Sequence, residues 1–330
     1  MPKSIATRRR LLAASLIAVA LLPLHPLRAQ PKDFPSRPIR IVVAQAAGGL
    51  TDLWARHYGE QLTQQLGATV VVENKTGAGG VIGIDSVAKA APDGYTLLFA
   101  TTSTVMQNRV LFTKLPYNLD KDLVPIAVFP SGPLVVAVAP GVPVHNVKEL
   151  LAWGKGKDLS MGSWGPGSFA QMVASLLTRS YGLNVQTVNY RGETPSWVDA
   201  ASGQVQLAMG SVQGYNTVAN RGVRAIAVTG PYRSPRLPEV ATLQEQGIVE
   251  SFVALEGGSA LMAPAGTPEA IQKLLSAVVV KGAETPQAAK VRENFGVPNK
   301  PKNLAQTRAD WDRDVPIWIK EAAALGIKLD

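Results

Sequence analysis

An alternation constrains this chain more than any other feature: short β-branched apolar runs, each closed by a glycine turn and followed by apolar residues at helical spacing. Residues 39–43 form the first run, Gly48 and Gly49 break it, and Leu53, Trp54, His57, Leu62 and Leu66 then recur near helical spacing until Gly67. Thr51 and Asp52 stand where a helix cap is expected. The unit repeats: 70–72 reads as a strand, 77–80 as a turn, 81–90 as a helix ending before Pro92, and 95–99 as a strand after the Asp93-Gly94 turn. Runs apolar on both faces that alternate with helices specify an α/β fold with a largely parallel sheet.

The same grammar starts again at 134–138. A helix behind Asn146, a strand at 159–162 and a helix at 168–181 follow, then strands at 185–189, 205–209 and 225–228 with helical stretches at 195–201 and 212–219. Helices at 268–282, starting at a Thr267-Pro268 cap, 286–295 and 306–325 close the chain. Two α/β lobes are therefore expected, and 330 residues suffice for two cores.

With 46% hydrophobic and 17% charged side chains, the chain is no disordered tail. The absence of cysteine excludes a disulfide scaffold, a thiolate metal site and a cysteine nucleophile, and three histidines leave little room for a His-based metal centre. A net charge of +9 would suggest nucleic acid if the excess ran through the chain. It does not. Lys3, Arg8, Arg9, Arg10 and Arg28 lie in the first 29 residues, which hold no acid, and the remainder carries 28 basic against 24 acidic residues. Residues 1–29 have the parts of an export signal: a basic start, an apolar run at 11–24 and Leu27-Arg28-Ala29 before Gln30. That run contains Pro23 and is shorter than the ~20 apolar residues that span a bilayer. A soluble mature chain outside the cytoplasm is expected, and residues 7–12 also look like a twin-arginine signal.

Two strand-to-helix turns carry the chemistry. Ala46-Ala47-Gly48-Gly49-Leu50-Thr51-Asp52 and Ser163-Trp164-Gly165-Pro166-Gly167-Ser168 are glycine-rich, lack a bulky charge before the helix and hold hydroxyls. In an open α/β sheet, ligands sit outside the carboxyl ends of the strands, where N–H groups at the start of the following helix favour an anion. The same residue types also build turns and caps that bind nothing. Asp52 reads as a complement to its helix dipole, and Trp164, a large ring inside a glycine turn, as the floor of a pocket. Residues 77–83 lack the small residue that a dinucleotide fingerprint needs where Ile82 stands. In Gly162-Ser163-Trp164-Gly165 the serine directly follows the first glycine, so this is not a nucleophile elbow. His57 sits mid-helix and His145 beside a cap, so no catalytic residue and no metal ligand is assigned.

Several segments are similar to one family. Phe34-Pro35-Ser36-Arg37-Pro38-Ile39-Arg40, Gly48-Gly49-Leu50-Thr51-Asp52, Val72-Glu73-Asn74-Lys75-Thr76-Gly77-Ala78-Gly79-Gly80 and Ala90-Ala91-Pro92-Asp93-Gly94-Tyr95-Thr96-Leu97 resemble the extracytoplasmic solute receptors of tripartite tricarboxylate transporters, the Bug-type receptors. Leu115-Pro116-Tyr117-Asn118 and residues 225–229, 233–240 and 263–268 continue the resemblance in order, over essentially the whole chain after the export signal. It implies a two-lobed periplasmic binding protein of type II-like α/β fold, with mostly parallel sheets flanked by helices and a ligand cleft between lobes. Residues 30–130 with 255–330 would form the first lobe and 131–254 the second. The implied function is capture of a small organic carboxylate and its delivery to the membrane permease subunits of such a transporter, by a monomer that uses no cofactor and no nucleic acid. A carboxylate sensor feeding a signalling partner, and a secreted hydrolase, are the alternatives.

By the same resemblance, the expected ligand-binding residues are Gln45, Ala47, Gly48, Gly49, Thr51 and Asp52 in the first turn and Thr101, Thr102 and Ser103 in a loop after the third strand. Ser163, Trp164, Gly165, Gly167 and Ser168 follow in the second turn, then Tyr190 and Arg191, and Gly210 and Ser211. Three positions depart from the family: an aromatic residue is common where Gln45 stands, an Asp-Asn pair where Gly210-Ser211 stand, and a Trp where Gly258 stands. Loss of the acid removes the partner for a ligand ammonium, so an amino-acid ligand is not expected. Loss of the rings leaves room for a larger or differently shaped acid.

Overall fold

The computed structural model describes residues 34–190 and 192–329. The export signal and Arg191 lie outside the described residues. In the first sheet β1 (Ile39–Val43) runs parallel to β2 (Val70–Asn74) on one side and β3 (Thr96–Thr101) on the other. Ile41, Val42, Val43, Leu98 and Phe99 are wholly buried, as a central strand covered on both faces requires. The covering helices are α1 (Leu50–Leu66) and α2 (Val81–Ala88); α3 (Thr102–Leu111) follows β3 directly, and α4 (Leu119–Asp122) leads into β4 (Leu123–Pro130).

The chain then passes to a second sheet over residues 131–133. There follow β5 (Leu134–Val138), α5 (Val147–Trp153), β6 (Asp158–Ser163), α6 (Phe169–Tyr181), β7 (Asn184–Asn189), α7 (Glu193–Ala201), β8 (Leu207–Ser211), α8 (Val212–Asn216) and β9 (Arg224–Val228). It returns to the first sheet as β10 (Gly258–Pro264), and α9 (Glu269–Gly282), α10 (Pro286–Phe295) and α11 (Leu304–Ala323) complete the fold. The strand orders are β2-β1-β3-β10-β4 and β7-β6-β8-β5-β9.

The sheets are more mixed than the alternation implies. β10 is antiparallel to both β3 and β4, and β5 to both β8 and β9. A parallel neighbour needs a long crossover that returns the chain to the far edge of the sheet. β5 and β10 are the strands by which the chain enters each sheet from the other, starting at the cavity between them, where Leu134 and Gly258 lie. A strand that starts where its neighbours end runs against them. β10 is buried along its whole length yet was not legible as a strand, because Gly257-Gly258 and Pro264 read as loop punctuation.

The start of α1 also differs from expectation. Gly49, not Thr51 or Asp52, is the N-cap, and no side chain caps the helix. The helix begins at Leu50, which puts Asp52 at the third helical position, whence its carboxylate reaches back to the Gly48 N–H at 2.9 Å. Thr267 likewise gives α9 no side-chain cap; its hydroxyl donates to the Pro264 carbonyl at 2.8 Å. Both sheets belong to one compact unit. Phe169 on α6 stacks edgewise on Trp318 of α11 at 5.2 Å and meets Phe252 at 5.4 Å, so the last helix joins the core of the second sheet as well as that of the first.

Candidate functional site

A cavity of about 560 Å³ is lined from both sheets. Gly48, Gly49 and Thr51 of the first turn, Thr101, Thr102 and Ser103 at the β3–α3 junction, Trp164 of the second turn and Ser211 all line it. Gln45, Ala47, Asp52, Ser163, Gly165, Gly167, Ser168, Tyr190 and Gly210 do not, although each was expected there.

The first turn is open toward the cavity. Gly48 holds φ +89°, and nothing lies within 4 Å of where a Cβ would stand. The leading N–H groups of a helix have no partner inside it, and Gly49, Leu50 and Thr51, at the start of α1, line the cavity. Asp52 anchors this arrangement from behind: it is buried and accepts from the Gly48 N–H (2.9 Å), Asn74 Nδ2 (2.9 Å) and Arg56 Nε (3.0 Å). Burial pushes its carboxyl up, but these bonds outweigh burial and hold it below the ordinary aspartate range. Gln45 turns away, its amide reaching Thr104 Oγ1 at 3.5 Å.

Hydroxyls knit the neighbouring rim. β3 passes into α3 with no intervening loop, because Thr101 caps the helix: its Oγ1 accepts from the Thr104 N–H at 3.3 Å. Thr102 Oγ1 accepts from the Gly258 N–H at 3.1 Å, and Thr51 Oγ1 lies 2.8 Å from Ser259 Oγ. Ser259 and Gly257 of the β10 segment were missed because β10 itself was unrecognised.

The second turn is closed on itself. Ser163 and Ser168 are buried with their Oγ atoms 2.6 Å apart, Ser163 Oγ donates to the Gly165 carbonyl at 2.9 Å, and Ser168 accepts from the Gln171 N–H as the cap of α6. The Gly167 N–H is taken by Gln171 Oε1 at 2.8 Å, and a Cβ on Gly167 would run into Leu111 of α3. Close packing, not an anion, explains that glycine. Tyr190 also points elsewhere, its hydroxyl donating to Asp199 at 2.6 Å; burial first and Asp199 next push the phenol up to about 12. Only Trp164 from this turn reaches the cavity.

A model of the tripartite tricarboxylate transporter family receptor matches residues 54–311. The chain belongs to that family. A UPF0065 protein in the tcbD-tcbE intergenic region of Pseudomonas sp. strain P51 is 35% identical over 88% of this chain and 86% of its own. The structure of periplasmic binding protein BugD shares 30% identity at a TM-score of 0.72 over 90% of this chain and all of BugD. R. palustris Rpa4515, solved with adipate, shares 27% at 0.74 over 90% and 100%. BugD is a periplasmic binding protein by name, and membership of the family implies a periplasmic location. No helix among the described residues is long and apolar enough to cross a membrane.

Two of the positions singled out in the sequence acquire a physical account. A Cβ on Gly258 would strike the Phe129 carbonyl, so the backbone itself excludes a ring there. Aromatic lining comes from other elements instead: Trp164, Phe169, Phe295 and Trp318. The space beside Gly210 is likewise taken by another element. Glu193, at the start of α7, places its carboxylate where a side chain on residue 210 would begin. Ser211 holds it there through its N–H (2.7 Å) and its Oγ (2.6 Å). In the sequence Glu193 carried only the signal of an acid in a first helical turn, which the helix dipole already explains.

Proposed function

We propose that this receptor captures a small organic carboxylate in the cavity between its lobes and delivers it to the membrane subunits of a tripartite tricarboxylate-type transporter. The lobes of the proposal are residues 30–130 with 255–330 and residues 131–254. The observation that carries the reading is the open start of α1, whose unpaired N–H groups and the hydroxyls of Thr51, Thr102 and Ser103 border one cavity. A volume of about 560 Å³ suits a small solute. The adipate of Rpa4515 supports the ligand class by similarity.

A thermal-shift series on the chain from Gln30 onward tests it, with mono-, di- and tricarboxylates, amino acids and a phosphate control. A true ligand at a hundred times its Kd adds about 2.7 kcal/mol. The expected result is a carboxylate that raises the midpoint where phosphate does not; a response to phosphate alone would overturn the reading.

A further inference from the structure

A second cavity, of about 410 Å³, lies where the chain returns to the first sheet, bordered by residues 254–257. Trp311 and Trp318 of α11, Met106 of α3 and Val128 of β4 give it an apolar lining. Leu255, Gly257 and Trp318 border the cavity between the sheets as well, so the two are neighbours.

All but one of the charges that line this second cavity are matched. Lys302 and Arg313 hold Asp310 at 2.6 and 2.7 Å, Arg313 also holds Asp314 at 2.7 Å, and Lys300 turns to Glu284 at 2.5 Å. That leaves Glu256 without an ion pair among the described residues. It accepts from the Tyr232 hydroxyl and from Asn299 Nδ2, the latter at 2.8 Å, and both donors are neutral. Burial holds its carboxyl above the ordinary glutamate range in spite of these bonds and of the nearby charge on Lys302. Burial first and Glu256 next push the Tyr232 phenol far up, so Tyr232 keeps its proton and stays the donor. An ionised carboxylate has about four acceptor sites, so about two remain for an occupant.

A buried carboxylate with neutral donors alone is costly to keep ionised, and a cation brought by an occupant offsets that cost. Indole faces attract cations as well. An apolar lining with one unmatched acid therefore favours a molecule that is apolar at one end and cationic at the other, and the volume suits a small one. Going beyond the receptor reading, we propose that this cavity is a second binding site, that it takes a small primary organic ammonium with an apolar body, and that Glu256 recognises its charge. The ammonium donates to Glu256 while the apolar body lies against Trp311 and Trp318. Anions are rejected by the same carboxylate.

The test is calorimetric titration of the full mature protein with butylammonium, cyclohexylammonium and 2-phenylethylammonium, each beside the alcohol that replaces its ammonium with a hydroxyl, and with pentanoate and 3-phenylpropanoate. It is repeated on E256Q and on E193Q, because Glu193 is an acid that lines the neighbouring cavity. A hydrogen bond to a charged group is worth about tenfold to a hundredfold in affinity. The expected result is at least one ammonium bound one to one and at least about tenfold tighter than its alcohol, with that margin erased in E256Q and kept in E193Q. An alcohol or a carboxylate bound as tightly as the ammoniums overturns the proposal, as does binding by none of the ammoniums. A margin that survives E256Q, or that E193Q removes, overturns it too. Should E256Q fail to fold, the native panel and E193Q decide between these outcomes.

Discussion

Asparagine at position 52 isolates the charge that ties down the first turn. Asp52 is 3% exposed and accepts hydrogen bonds from three elements: the Gly48 N–H at 2.9 Å, Asn74 Nδ2 at 2.9 Å and Arg56 Nε at 3.0 Å. An amide keeps the shape but replaces one acceptor oxygen with a donor, which then faces another donor. Bonds to a charged acceptor contribute about 1.5–3 kcal/mol each. The Arg56 bond is discounted because that side chain is 47% exposed and water replaces its partner. Favourable placement near the helix start adds about 0.3–1 kcal/mol. D52N should therefore lose roughly 2–4 kcal/mol, read as a lower urea midpoint with an unchanged slope.

The pH dependence gives a second reading of the same cause. The folded carboxyl titrates below its unfolded value, so its stabilisation is complete above the unfolded value and vanishes as pH falls through the folded one. The gap between native protein and D52N should be widest near neutrality and close below about pH 4. A gap that persists unchanged into strong acid, or no gap at neutral pH, would falsify the assignment of Asp52 as an ionised anchor.

Three further substitutions probe the two turns. Gly167→Ala forces a left-handed φ of +73° onto a Cβ that meets Leu111, and should cost about 2–4 kcal/mol; adding Leu111→Ala should restore part of it in a double-mutant cycle, and simple additivity would refute the clash. Ser168→Ala removes the cap of α6 and should lower stability by about 0.5–2 kcal/mol while ligand affinity holds, since the hydroxyl is spent inside the turn; lost affinity without lost stability would put that hydroxyl back in the site. Gly48→Val places a β-branched side chain at φ +89° beside the start of α1, and titration should show ligand binding abolished in a protein that still unfolds cooperatively.

Local pattern carried much of the architecture. The helix stop at Gly67, the Asn146 cap and the burial of Ile39, Ile41, Val42 and Val43 all follow from short-range chemistry that the chain states directly. β10 escaped because its seven buried residues begin at glycine and end at proline, and only the partners β3 and β4 make them a strand. Residues of the site divide the same way. Gly48, Gly49 and Thr51 were legible because a glycine turn before a helix has an intrinsic conformation. Ser163 and Ser168 were singled out in the same way, but their hydroxyls lie 2.6 Å apart and neither residue lines the cavity, which depends on how the turn packs and not on the residue types alone.

What the amino-acid sequence determined by itself was most of the pieces: many of the strands and helices, and where the chain turns. Those properties depend on residues a few positions apart. The tertiary structure alone decided that β5 and β10 run against their neighbours, that the second turn closes against Leu111, and that Glu193 fills the space vacated by Gly210. Each rests on contacts between residues remote along the chain, where distance in space and the absence of a Cβ, not local propensity, select the partner.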